Sequence, residues 1–127
     1  MPHFTFEYSA NLDDLVDIRG LTRAILKAAI ATQAFETGAI RVRAIRCDDY
    51  AIADEHPSNG FIDLTLRLAV GRDLALRKSI GDAVFAAMTA FLAPQFDTGH
   101  FALSLEIREI DPALSYKKNA IRDRLRA

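Results

Sequence analysis

The chain has 127 residues, which is the usual length of one domain and too short for two of ordinary size. Half of the residues are hydrophobic and 26% are charged, a composition that excludes disordered and fibrous proteins. Sixteen basic and seventeen acidic side chains give a net charge of −1, which argues against a dedicated nucleic-acid-binding protein. A small enzyme, a ligand-binding module and an assembly subunit remain.

The sequence carries no targeting or metal-binding pattern. No apolar run approaches the roughly 20 residues that span a bilayer, and the first eight residues lack the basic flank and apolar stretch of a secretory signal, so we expect a cytoplasmic protein. Cys47 is the single cysteine, which excludes an internal disulfide. The three histidines show no ligand-like spacing, and we therefore expect no metal site.

The first half predicts a strand, a helix and a second strand. Apolar and polar side chains alternate from position 4 to position 8, as in a half-buried strand. Apolar residues then recur at spacings of three and four, which predicts an amphipathic helix through Ile18, Leu21, Ile25 and Ala28. We expect Asn11 or Asp13 to cap the start of this helix and Gly38 to cap its end. Alternation from Ala39 to Cys47 predicts the second strand, with an irregularity at Ile45.

The second half predicts the same order of elements. Residues 48 to 59 form a connection with a small strand or hairpin at 50 to 53. The third strand runs from Phe61 to Val70, and an amphipathic helix follows it and ends before Pro94. The fourth strand runs from Phe101 to Ile110. The basic segment from Tyr116 to Ala127 predicts a solvated terminal helix.

The two halves share one plan, which predicts an α+β, two-layer fold with a duplicated β-α-β unit. We expect a single domain over 1–127, with pseudo-repeats 2–57 and 60–110 and a C-terminal tail 111–127. A helical crossover requires parallel pairing within each half, and right-handed crossovers place both helices on one face of a four-stranded mixed sheet. With Phe61 and Val70 assigned to the uncovered face, we expect that face to be apolar and to pack in a symmetric oligomer.

Pro2 is the first candidate for chemistry. A small residue after the initiator Met normally permits removal of that Met, which would leave Pro2 with a free secondary amine at the start of a buried strand. Burial and nearby cations disfavour the protonated form, so such an amine is neutral near physiological pH and accepts protons. The ordinary alternative is that proline is merely a common second residue.

Two arginines are candidates for binding an anion. Arg41 lies on a strand that alternates aliphatic residues with arginine, which presents guanidinium forks suited to carboxylates. Arg72 follows Gly71 where a strand meets a helix, and the amides at the start of that helix attract anions. The alternatives are a solvated sheet edge for Arg41 and a surface ion pair with Asp73 for Arg72.

Together these features resemble the tautomerase superfamily: Pro2 on the first strand, the duplicated plan, Ile40-Arg41-Val42, and Gly71-Arg72 after the third strand. Within it, the chain is similar over nearly its whole length to the 5-carboxymethyl-2-hydroxymuconate isomerase family. That closer resemblance lies in the Pro-His-Phe start, in Leu103-Ser104-Leu105-Glu106-Ile107 and in Tyr116-Lys117-Lys118-Asn119.

The resemblance implies a homotrimeric isomerase that needs no cofactor and moves a proton and a double bond in a small unsaturated polycarboxylate, within bacterial breakdown of homoprotocatechuate. It implies that Pro2 is the catalytic base and that Arg41 and Arg72 bind the substrate. It also implies that the C-terminal tail packs on a neighbouring subunit. The competing hypotheses are a non-catalytic carboxylate-binding or assembly trimer that kept the fold, and an unrelated regulatory domain.

Overall fold

A computed structural model describes residues 1–127. Its strands are β1 (His3–Ser9), β2 (Arg41–Cys47), β3 (Gly60–Ala69) and β4 (Phe101–Ile110). Its helices are α1 (Ile18–Ala31), α2 (Leu74–Phe91), α3 (Ala93–Phe96) and α4 (Ala120–Arg126), and short 3-10 turns cover Ala10–Leu12, Thr37–Ala39 and Pro112–Leu114. None of the helices has the length and apolar character needed to cross a membrane.

The four strands form one mixed sheet in the order β2-β1-β3-β4. β1 and β2 are parallel, as are β3 and β4, while the central pair β1 and β3 is antiparallel. Helices α1 and α2 contact each other on one side of this sheet. The predicted α+β fold, with two helices on one face of a mixed four-stranded sheet, is confirmed. The start of β1, the start of β2 and the ends of β3 and β4 consequently lie at one edge of the sheet.

The hydrophobic core lies between the sheet and the helices. Even-numbered side chains of β1 and β3 point into it because successive residues of a strand face opposite sides. The pattern that predicted these strands therefore also identified their buried faces. Sixteen buried residues form the core cluster: Phe4, Phe6, Tyr8, Leu12, Val16, Leu21, Ile25, Ala29, Ile62, Leu64, Leu66, Leu68, Ile80, Val84, Met88 and Leu92.

The predicted limits of the first helix were wrong at both ends. α1 begins at Ile18 because the Asp17 side chain caps it by accepting a hydrogen bond from the Gly20 amide at 2.9 Å. The helix ends at Ala31, well before Gly38. Gly38 is instead buried in the 3-10 turn before β2, where an added Cβ would lie 2.6 Å from the Arg122 Cα. Close packing against α4, and not helix capping, requires glycine at this position.

Two further local predictions were wrong. β2 begins at Arg41, and its pairing with β1 continues residue for residue to Cys47, so no irregularity occurs at Ile45. Residues 50 to 53 contain no strand. Ala53 and Glu55 have positive φ angles of 51° and 63°, a left-handed conformation that an extended strand does not contain. The short apolar stretch in this loop was too brief to specify a strand against these turns.

The uncovered face of the sheet is polar, contrary to the prediction. Phe61 does lie on this face but is half-buried against Tyr50, with ring centroids 6.5 Å apart, and Val70 lies beyond the end of β3. The apolar even-numbered residues of β3 dominate its sequence pattern, and the polar character of its odd-numbered positions was therefore not predicted. Because the uncovered face is polar, it does not support the prediction that this face packs in an oligomer. A shallow depression on this face is lined by Thr5, Glu7, Arg43, Ile45, Asp63, Thr65 and Arg67.

The predicted terminal helix is present, but it packs on its own chain. The Asn119 Oδ1 caps α4 by accepting a hydrogen bond from the Arg122 amide at 3.0 Å, and its Nδ2 donates to the Gly38 carbonyl at 2.8 Å. Arg126 forms a two-point ion pair with Glu36, in which Nε and Oε2 are 2.7 Å apart. The C-terminal segment is thereby fastened beside the start of β2.

Replacing Gly38 with alanine should detach α4. The added Cβ has no room against the Arg122 backbone, so we expect the Gly38→Ala variant to lose about 1–3 kcal/mol of unfolding free energy. Amide hydrogen exchange should accelerate in residues 119–127 while the sheet retains its protection. Thr37→Ala, at the exposed neighbouring position, is the control. Unchanged exchange of α4 in Gly38→Ala would contradict this account of the contact.

Candidate active site

The structure brings the three predicted site residues to one edge of the sheet. Pro2 is buried immediately before β1, and its carbonyl accepts a hydrogen bond from the Arg41 amide at 3.2 Å. Arg41 is the first residue of β2, and Arg72 lies just after the end of β3. Parallel pairing of β1 with β2 places Arg41 beside the start of β1, and antiparallel pairing of β1 with β3 brings the end of β3, and with it Arg72, to the same place.

Met1 occupies the centre of a group of cations. Its sulfur contacts the Arg41 Nη1 and lies 3.3 Å from the Asn119 Nδ2. The pKa of the Met1 amine is lowered from 8.0 to about 6. Burial is the largest cause, and the positive charges of Lys117, Arg41 and Arg72 act in the same direction. With Met1 in place the Pro2 nitrogen belongs to a peptide bond and has no basic lone pair.

Arg72 is held by backbone carbonyls and an aromatic ring. Its Nη2 donates to the Ala34 carbonyl at 3.1 Å and its Nη1 to the Ala69 carbonyl at 3.4 Å. The guanidinium carbon lies 4.9 Å from the centre of the Phe35 ring, a distance that allows a cation–π contact. Arg72 does not pair with Asp73, whose carboxylate instead caps α2 at the Leu76 amide.

The cations at this edge have no carboxylate partners. The chain contains five ion pairs, and their basic members are Arg46, Arg77, Arg108 and Arg126. Arg41, Arg72 and Lys117 take part in none of them. A guanidinium carries five N–H donors, and a thioether sulfur or a single carbonyl satisfies few of them. Three neighbouring cations with free donors are suited to binding an anion with several negative groups.

Three residues of this site were missed or misread in the sequence. The sequence pattern predicts a solvated basic run for Lys117 and a place in the tail for Asn119, and it does not indicate Phe35. An Asn before Ala-Ile-Arg is a helix-capping signal that could have placed Asn119 at the start of α4. Periodicity gave no signal for Lys117 or Phe35, because both lie outside the regular elements.

His3 lies beside Pro2 on the opposite, uncovered face of the sheet. Burial lowers the pKa of its imidazole to about 4, and the nearby charges of Arg67, Arg43 and Arg41 act in the same direction. The Arg43 Nη1 lies 3.4 Å from the His3 Nδ1. Near neutral pH His3 is therefore an uncharged ring, and its protonation state does not change in the pH range where an amine base would work.

Two cavities lie at opposite ends of the sheet. One, of about 100 Å³, is lined by Met1, Ala69, Ile110, Pro112, Ser115 and Lys117. A larger open depression, of about 470 Å³, is formed by residues 48 to 59 and contains none of the predicted site residues. Lys117 lines the smaller cavity, Arg41 contacts the Met1 side of it and Arg72 donates to the carbonyl of Ala69, another lining residue. The smaller cavity is therefore the candidate active site. No group of three His, Cys, Asp or Glu side chains that could hold a metal is present.

Comparison with known proteins agrees with this geometry. Residues 2–125 match the family model described as 5-carboxymethyl-2-hydroxymuconate isomerase. The chain belongs to this isomerase family. It is 31% identical over 121 residues to the 5-carboxymethyl-2-hydroxymuconate Delta-isomerase of Escherichia coli, covering 95% of this chain and 96% of that protein. The isomerase family assignment identifies the chain as an enzyme.

Solved structures extend the comparison. The crystal structure of a 5-carboxymethyl-2-hydroxymuconate isomerase from Deinococcus radiodurans R1 is 38% identical, with a TM-score of 0.92 over 99% of this chain and 95% of the other. A fused 4-OT symmetric trimer is 14% identical, with a TM-score of 0.63 over 91% of this chain and 93% of the other. That distant likeness concerns the fold alone, and it is the tautomerase fold.

Proposed function

We propose that this member of the isomerase family converts 5-carboxymethyl-2-hydroxymuconate to its isomer, with the Pro2 amine as the base once Met1 has been removed. The observation that carries the proposal is that Arg41, Arg72 and Lys117 surround the partly buried α-amine of Met1, whose pKa is lowered to about 6. A neutral amine beside unpaired cations combines a proton acceptor with a receptor for carboxylates.

Removal of Met1 would make the Pro2 nitrogen the terminal amine and would empty the space that Met1 fills. Pro2 is buried at the same edge of the sheet, so burial and the same cations would act on its amine. The direction of both effects is to lower the pKa. Burial and the neighbouring cations would thus favour the unprotonated form of the base without help from a second side chain.

The reaction is a balanced isomerisation. The proline nitrogen accepts the proton of the substrate 2-hydroxyl, and the electron pair of that O–H bond forms a carbonyl while the conjugated double bonds shift. The protonated proline then donates the proton to a carbon at the far end of the conjugated system. Negative charge that develops on the oxygens is stabilised by Arg41 and Arg72. No cofactor is needed because no electrons enter or leave the substrate.

The proposed activity is tested with 5-carboxymethyl-2-hydroxymuconate itself. We expect purified protein that lacks Met1, as shown by its intact mass, to decrease the ultraviolet absorbance of the dienol substrate without added metal or cofactor. Absence of turnover by protein shown to start at Pro2 would contradict the proposal. The resemblance places this reaction in the breakdown of homoprotocatechuate.

A second candidate function is a carboxylate-binding or assembly trimer without catalysis. It is favoured by the observation that Met1, where retained, leaves Pro2 with an amide nitrogen while the cations stay in place. Carboxylate binding without turnover, by cellular protein that retains Met1, would establish it. Both candidates include a homotrimer, which would show in solution as a particle of three 14.1 kDa chains. Exposed apolar residues beside the site, Leu114 and Tyr116 at 79% and 94%, support association there.

A further inference from the structure

We propose that Lys117 binds a third carboxylate of the substrate and thereby selects tricarboxylates over dicarboxylates. This inference rests on the proposed function, which assigns substrate binding to Arg41 and Arg72. Lys117 comes from the segment between β4 and α4 and lines the cavity beside Met1, whereas Arg41 begins β2 and Arg72 follows β3.

The cavity at the site gives Lys117 its place. Lys117 lines it together with Met1, and so does Ala69, whose carbonyl accepts the hydrogen bond from the Arg72 Nη1. On its other side Met1 contacts Arg41 through its sulfur. Loss of Met1 would therefore leave a space bounded by three cations from three separate segments of the chain. An anion in this space would meet all three.

Hydrogen bonds anchor both ends of the exposed segment that carries Lys117. Asn119 is only 5% exposed and joins the segment to the Gly38 carbonyl. On the other side, the Asp111 carboxylate accepts a hydrogen bond from the Ala113 amide at 2.9 Å and holds the turn after β4. A lysine anchored in this way directs its charge at one region while its flexible stem adapts to the ligand.

The three cations of the site match the three carboxylates of the proposed substrate in number. 5-Carboxymethyl-2-hydroxymuconate carries the two carboxylates of muconate and a third on its carboxymethyl group. Arg41 and Arg72 offer planar forks suited to two-point binding of carboxylates. Lys117 offers a point charge suited to a carboxylate on a rotatable methylene. A substrate without the carboxymethyl group would leave Lys117 unpaired and would gain nothing from it.

The test compares two substrates in Lys117→Met, which keeps the length of the side chain and removes its charge. We expect kcat/KM for 5-carboxymethyl-2-hydroxymuconate to fall about 10- to 100-fold, mainly through KM, since a hydrogen bond to a charged group is lost. Because Lys117 also lowers the pKa of the amine, the comparison is made at a pH above that pKa, where the base is neutral in both proteins. There, turnover of 2-hydroxymuconate, which lacks the third carboxylate, should change less than about threefold. Lys117→Arg should restore most of the loss, and Lys118→Met, the exposed neighbour, should behave like the wild type.

At that pH, equal losses on both substrates would overturn the proposal, because Lys117 would then not distinguish the substrate that carries the third carboxylate. No loss on either substrate would also overturn it.

If the wild type turns over neither substrate, the proposed function fails, and calorimetry with unreactive acids decides the role of Lys117. Propane-1,2,3-tricarboxylate should bind more tightly than glutarate, and Lys117→Met should abolish that preference. Equal affinities in the wild type would refute it.

Discussion

A chain that begins at Pro2 should isomerise 5-carboxymethyl-2-hydroxymuconate with a kcat/KM about 100- to 10,000-fold higher than the same chain with Met1 retained. This range is the usual contribution of a positioned general acid or base. Met1 would impair the reaction twice, since it converts the Pro2 nitrogen to an amide and fills the space beside Arg41. The measurement is steady-state kinetics on two preparations of defined intact mass.

Further variants separate the loss of the base from the filling of the site. Acetylation of the Pro2 amine blocks the base with a smaller group and should be as damaging as Met1. Pro2→Ala, after loss of Met1, keeps a primary amine at the same place and should retain part of the activity. Since the base works only when neutral, kcat/KM should rise with pH through the pKa of the amine, below the ordinary value of about 8. Equal activity with and without Met1 would eliminate the amine mechanism.

Loss of either arginine should be nearly as damaging. We expect Arg41→Ala and Arg72→Ala each to lower kcat/KM about 100- to 1000-fold, the usual effect of removing a group that stabilises developing negative charge. Each cation also lowers the pKa of the amine beside it. Its removal should raise that pKa and move the rising limb of the pH profile to higher pH.

The direction of this pH shift distinguishes the site from a simple loss of charge. Arg23→Ala removes a cation from the exposed side of α1 and should change neither the rate nor the profile. Arg41→Lys should keep the low amine pKa but recover the rate only in part, because a lysine lacks the fork of the guanidinium. A rate loss with an unshifted profile would show that Arg41 lies outside the influence of the base.

The fold was largely predictable because the buried faces of its strands are regular. Alternation in β1 and β4 gave the strands, and a helix between paired strands dictated parallel pairing in each half. Predictions went wrong where a single interaction decides the outcome. The Asp17 cap fixes the start of α1, and the contact of Gly38 with Arg122 concerns residues distant in sequence. Periodicity contains no information about such contacts.

The candidate site was predictable in part. The sequence indicates Pro2, Arg41 and Arg72 separately, and the pairing of β1 with both β2 and β3 explains why they meet. Their roles stay predictions until the variants are measured. Lys117 could not have been placed from composition or spacing, because its position depends on how the tail returns across the sheet edge and is anchored by Asn119.

The enclosure of Met1 by the tail also sets a limit on when Met1 can be removed. Met1, at the start of the chain, contacts Asn119 and lies beside Lys117, both of which are close to the end of the chain. At a synthesis rate of about 5–20 residues per second, the first residues are free of these neighbours for several seconds. An aminopeptidase acting on the growing chain therefore meets an open terminus. On the completed molecule the terminus is partly buried and in contact with the tail, so a chain that escapes early processing would lose its methionine more slowly.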